Sequence, residues 1–112
     1  MTDTLIHCEE EFDDLLGYAV HSEGRVVVLF TAPSWCQPCR RFEPHWRKAS
    51  EQSDLPFFKV DMGKTPEDTG VHWASSRFNI LGVPSVKVFR TDGPPIDIQA
   101  RAVVPFLKEI HD

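Results

Sequence analysis

Cysteine is scarce here. Three in 112 residues is an odd count, which argues against a small fold stapled by paired disulfides. Long apolar runs are also missing. No stretch approaches the roughly 20 residues needed to span a bilayer, and Met1-Thr2-Asp3-Thr4 has neither the basic start nor the apolar segment of a secretory signal. The expected setting is therefore the cytoplasm, with no membrane partner, where thiols stay reduced and any disulfide is transient. Basic residues are in deficit, 12 Lys and Arg against 17 Asp and Glu for a net charge of −5, so a phosphate-tracking surface is not expected and nucleic acid is no partner. The densest basic run, Arg40-Arg41 with Arg47-Lys48, is broken by Glu43 and reads as a solvated helix face. A glycine-rich dinucleotide turn is absent, so the chain is expected to bind no flavin or nicotinamide itself. Repeats, low-complexity tracts and linkers are absent too, and residues 1–112 read as one domain.

What is present is an alternation of strand and helix signals. Thr4 to His7 is a short strand candidate, and Glu9 to His21 carries Phe12, Leu15, Leu16 and Ala19 at helical spacing with acidic residues in its first turn, ending at Gly24. Arg25-Val26-Val27-Val28-Leu29-Phe30 is nearly all apolar, the pattern of a strand covered on both faces, and is placed in mid-sheet. Cys36 to about Ser53 predicts a helix with Pro38 in its first turn, where a missing N–H costs nothing, and Pro44 as a kink further along. Pro56 to Asp61 predicts a strand. Glu67 to Phe78 predicts an amphipathic helix with Val71, Trp73, Ala74 and Phe78 facing the core. Ser85 to Arg90 predicts a half-buried strand, Thr91-Asp92-Gly93-Pro94 a turn, Ile96 to Gln99 an antiparallel return, and Val103 to Ile110 a closing helix. The sum is a three-layer α/β fold with a mixed sheet.

The chemical centre is Cys36-Gln37-Pro38-Cys39, after a buried strand and at a helix start. Unpaired helix amides and the positive end of the dipole favour a thiolate at Cys36 and make it the attacking sulfur. Cys39, a turn deeper, stays protonated until needed. Cys36 then attacks a substrate disulfide to give a mixed disulfide, and Cys39 attacks Cys36 to release reduced substrate. Gln37 and Pro38 hold the sulfurs within reach and tune the potential. A metal site shares this spacing, but there is no second Cys-x-x-Cys, and His7, His21, His45, His72 and His111 are scattered with no pair four apart. A purely structural cysteine pair is the other alternative. Cys8, with no cysteine near it in sequence, reads as a small structural residue near a helix cap.

With Phe30-Thr31-Ala32 before the site, Trp35-Cys36-Gln37-Pro38-Cys39-Arg40 at it, Pro44 beyond it and Phe78-Asn79-Ile80-Leu81-Gly82-Val83-Pro84-Ser85 downstream, the sequence resembles the thioredoxin family from about Thr4 to Ile110. The resemblance implies a thioredoxin fold, α/β/α, with a central five-stranded mixed sheet and four helices. The first three strands would be parallel and the last two antiparallel, and the Val83-Pro84 bond cis. It implies substrate binding by Trp35, Val83 and Pro84, a site-tuning cation at Arg40, and a redox-active Cys36-Cys39 pair with no bound cofactor or metal. It further implies a monomeric electron carrier for cell redox homeostasis that reduces protein disulfides and is recharged by a thioredoxin reductase. A disulfide oxidant or isomerase of the same fold is the alternative, and a non-catalytic binding subunit the third.

Several positions depart from the family pattern. Where the family has a buried Asp before the site, this sequence has Leu29 or Phe30, neither able to carry a proton, and a different pH profile follows. Gln99 stands near a position usually held by glycine. One residue is added in the turn from Thr31 to Ser34, and about eight between Asp61 and Phe78, an addition that includes Trp73.

Overall fold

The structure is a computed structural model that describes residues 3–99 and residue 102. The helix expected over Val103 to Ile110 lies outside the described residues. Five strands form one sheet in the order β1-β3-β2-β4-β5. β1 (Thr4–Ile6), β3 (Phe57–Asp61) and β2 (Arg25–Thr31) run parallel, while β4 (Ser85–Arg90) and β5 (Ile96–Ile98) are antiparallel to their neighbours. This is the mixed sheet the sequence implies. β2 pairs with β3 on one edge and β4 on the other, and from Val26 to Thr31 every residue is buried. Its continuous apolar composition follows from being covered above and below.

Alternation along β2 divides the core between two layers. Val26, Val28 and Phe30 face α1 (Glu9–Glu23), where Phe12 is wholly buried, and Val27 and Leu29 face α2 (Gln37–Gln52) through Phe42, Trp46 and Ala49. α1 has three glutamates in its first turn, complementing the dipole, and ends at Gly24, whose φ of 81° is left-handed and whose amide donates to the Val20 carbonyl at 2.8 Å. β4 is more buried than the half-buried strand its alternation suggests. Lys87 lies among its covered residues and pairs with Asp97 on β5.

The segment read as one helix from Glu67 to Phe78 is two. α3 (Pro66–Val71) and α4 (Trp73–Arg77) meet at His72, whose ψ of 146° breaks the helical path and whose Nδ1 accepts the Ala74 amide at 3.1 Å. The break changes which residues face inward. Ala74 is fully buried and Trp73 and Phe78 pack on Phe12, as expected, but Val71 is 86% exposed rather than a core contact. Arg77 secures α4 to α1 through Glu9 at 2.9 Å and Asp13 at 2.6 Å, with its guanidinium over the Phe78 ring.

Candidate active site

β2 ends at Thr31, and the chain turns through Ala32, Pro33, Ser34 and Trp35 before α2 begins. The amides of Trp35 and Cys36 both donate to the Ala32 carbonyl, at 3.3 and 2.9 Å, which winds the turn tightly against the strand end. Cys36 is the N-cap of α2 in extended geometry, with Gln37 and Pro38 as the first helical residues. Its Sγ accepts the Cys39 amide at 3.3 Å, in the manner of an N-cap side chain that satisfies an orphan donor. Both cysteines are free thiols and buried, and their sulfurs lie 2.6 Å apart with Cys39 donating to Cys36. Burial, with the Cys36 sulfur beside it, pushes the Cys39 thiol up to about 11, against the pull of the Thr31 hydroxyl and the Ala32 amide.

The second half of the site comes from the segment before β4. The Val83-Pro84 bond is cis, and the Val83 carbonyl accepts from Cys36 Sγ at 3.6 Å. Trp35 and Val83 pack on Ala32, Cys36 and Cys39, so these sequence-predicted residues come together from two distant stretches. Pro84 is half-buried beside them, and Leu81 is 91% exposed on the same loop. Gln37 and Pro38 face solvent.

Two contacts here were not legible in the sequence. Trp35 Nε1 donates to Thr69 Oγ1 at 3.0 Å, so the added segment between Asp61 and Phe78 reaches the site through α3. Arg40, expected to act as a tuning cation, folds back and donates to the carbonyls of Pro33 at 2.5 Å and Ser34 at 2.7 Å. That clamps the lengthened turn with charge-assisted bonds and commits the guanidinium to the backbone.

The missing strand acid is also resolved in space. Leu29, not Phe30, is on the α2 face of the sheet, and its partner across β3 is Lys59. Partial burial alone would lower the Lys59 ammonium, but Glu43 at 2.6 Å and Asp3 at 3.6 Å overcome it and hold the group above its ordinary value. Cys8 stands at the N-cap of α1, where the sequence placed it, but it is exposed and its side chain makes no cap hydrogen bond. Among the described residues no group of three or more His, Cys, Asp or Glu could hold a metal ion.

A parallel-antiparallel sheet carrying a capped Cys-x-x-Cys opposite a cis-proline loop defines a dithiol exchange site. The thioredoxin family model matches residues 3–109. Thioredoxin 1 of Plasmodium falciparum is 26% identical over 95% of this chain and 91% of its own length. Protein disulfide-isomerase A4 of Rattus norvegicus is 33% identical over 84% of this chain, which spans only 14% of that relative's length. The crystal structure of oxidized thioredoxin O1 from Arabidopsis thaliana superposes with a TM-score of 0.73, at 27% identity, covering 98% of this chain and 97% of the other. The chain belongs to the thioredoxin family, whose thiol-disulfide oxidoreductases use a redox-active cysteine pair without a bound cofactor.

Proposed function

We propose that the protein is a reductant of protein disulfides, with Cys36 as nucleophile and Cys39 as resolving thiol. The observation that carries this is the asymmetry of the pair: Cys36 caps the helix and accepts the Cys39 amide, whereas Cys39 lies a turn deeper, donates to the Cys36 sulfur and has its thiol raised. Cys36 attacks one sulfur of the substrate disulfide, that bond breaks, and one substrate sulfur leaves as a thiolate. Cys39 then attacks Cys36, closes the Cys36-Cys39 disulfide and releases the second substrate sulfur, which takes a proton. Trp35, Val83 and Pro84 form the docking surface, with the Val83 backbone pairing an extended substrate segment.

The direction of electron flow rests on what stabilises the thiolate. Strong oxidants have a stabilised reduced form. Gln37 and Pro38 carry no charge, and Arg40 turns its donors to the Pro33 and Ser34 carbonyls, so Cys36 accepts the Cys39 amide but no hydrogen bond from a cation of its motif. That favours a reductant. The coverage of a full-length thioredoxin supports the same reading, while the identity to a protein disulfide-isomerase domain favours an isomerase as the second. The proposed setting is the cytoplasm, with the chain acting as a monomer recharged by a thioredoxin reductase.

Equilibration with glutathione and turnover with a thioredoxin reductase decide between the two. The expected results are a potential nearer about −270 mV than about −180 mV and recharge by the reductase. A potential near the higher value, with refolding of scrambled ribonuclease and no recharge, would establish the isomerase instead.

A pH dependence follows from Cys39. Burial is the leading cause of its raised thiol and persists when Cys36 is tied up in a mixed disulfide. Below its pKa the reactive thiolate fraction grows about tenfold per pH unit. Stopped-flow release of substrate from a preformed mixed disulfide is therefore expected to accelerate steadily from pH 7 to about pH 10 with no plateau near pH 8.5. A plateau at the free-thiol value would contradict the assignment.

A further inference from the structure

Thr31 is the last residue of β2 and is 1% exposed. Its backbone is fully employed in the sheet, its carbonyl accepting the Met62 amide at 2.8 Å. Its hydroxyl is not employed. Oγ1 is the sole buried side-chain nitrogen or oxygen among the described residues with no hydrogen-bond partner. A buried hydroxyl without a partner loses its hydration and gains no bond in return, so a site that keeps one invites a functional reason.

Its position supplies one. Side chains alternate along a strand, so Thr31 shares the face of Val27 and Leu29, the face packed by α2. Ala32, the next residue, packs directly on Cys36 and Cys39. The Thr31 hydroxyl thus lies beneath the first turn of α2. Oγ1 reaches full hydrogen-bond geometry with no atom of the resting site, yet it lies near enough to the Cys39 sulfur to oppose the rise of that thiol.

We infer that Thr31 is a catalytic hydroxyl of the second exchange, donating its Oγ1–H to the Cys39 sulfur as that sulfur becomes an anion. The inference rests on the assignment of Cys39 as the resolving thiol. In this step Cys39 gives up its proton to water or to the departing substrate thiolate, and its sulfur attacks Cys36. The Cys36-substrate bond breaks with its electron pair on the substrate sulfur, and the Cys36-Cys39 bond forms. Thr31 keeps its own proton throughout. It stabilises negative charge on Cys39 by a charge-assisted hydrogen bond, in a place where Leu29 offers no acid to take the proton.

Few other groups can substitute for it. On α2, Cys36 is the titratable neighbour acting on Cys39, Arg40 is bonded to carbonyls and Glu43 is taken by Lys59. On β3, Lys59 is held by Glu43 and Asp3, and Asp61, in register with Thr31, is exposed and accepts the Gly63 amide. β2 contributes Leu29 and Thr31, and the Val83-Pro84 loop contributes no titratable side chain.

The test compares Thr31→Val, which keeps the shape and removes the hydroxyl, with Thr31→Ser, which keeps the hydroxyl. A mixed disulfide with a reporter thiol is preformed on Cys36, and its release is followed by stopped flow across pH 6 to 11. Thr31→Val is expected to move the pH-rate profile about one unit to higher pH, slowing release about tenfold at pH 7.5. Thr31→Ser is expected to restore most of the rate. Alkylation of Cys36 by iodoacetamide is expected to be unchanged, and the melting temperature equal or higher because an orphan polar group is gone. Should the branched methyl of Val disturb folding, Thr31→Ala carries the same test. A release profile superimposable on that of the unsubstituted protein, or a Ser variant as slow as Val, would overturn the inference. Failure of Cys39→Ser to block release would instead overturn the assignment of Cys39 on which it rests.

Discussion

Cys36→Ser is expected to reduce insulin disulfides no faster than buffer with dithiothreitol alone, a loss on the order of 10³-fold or more relative to the unsubstituted protein. The size follows from the chemistry of the first step. A serine hydroxyl at this cap can still accept the Cys39 amide, so the helix start survives, but an alcohol does not attack a disulfide. Cys39 cannot take over, because it is 1% exposed and its thiol is raised. Cys39→Ser is expected to fail differently. It completes one attack and stalls as a mixed disulfide, giving a single burst of substrate thiol where Cys36→Ser gives none. Equal activity of both variants and the unsubstituted chain would remove the dithiol from the function and favour a binding role for the fold.

The largest structural effect is expected at Trp46. It is wholly buried, with its ring 4.7 Å from that of Phe57 and 6.4 Å from that of Phe42, and its Nε1 donates to Asp3 Oδ2 at 2.7 Å. Cys39, Phe42, Trp46 and Ala49 form the buried stripe of α2, so this residue anchors the helix whose start is the active site. Trp46→Ala is expected to cost about 3–5 kcal/mol in urea unfolding, the usual range for truncating a buried aromatic. Trp46→Phe keeps most of the packing and removes the bond to Asp3, and should cost about 1 kcal/mol. A cost below about 1 kcal/mol for Trp46→Ala would mean that α2 is held elsewhere.

The parts of this molecule most visible in its sequence are those set by short-range pattern. The run from Val26 to Phe30 has no polar residue, which only a strand covered on both faces tolerates, and it is the central strand. The dithiol motif announces its own cap, because a cysteine followed by Gln, Pro and Cys starts a helix. What stayed hidden depends on partners far apart in the chain or on one side-chain atom. Periodicity alone continues a helix through His72, and the break there turns on an imidazole nitrogen accepting an amide two residues ahead. Thr69 meets Trp35 across 34 positions. Arg40 occupies a position read as a tuning cation, but the lengthened turn before it presents two carbonyls, of Pro33 and Ser34, that capture it. Thr31 was legible as part of the motif before the site but not as an unpartnered hydroxyl, since satisfaction of a polar group is a property of the packed structure.

The most direct test of the account is to identify which sulfur takes the substrate. The Cys39→Ser protein is mixed with a disulfide-bonded peptide, quenched in acid and mapped by mass spectrometry. The account predicts a single adduct, on Cys36, with Cys8 unmodified although it is exposed. An adduct on Cys8, or none on Cys36, would contradict it.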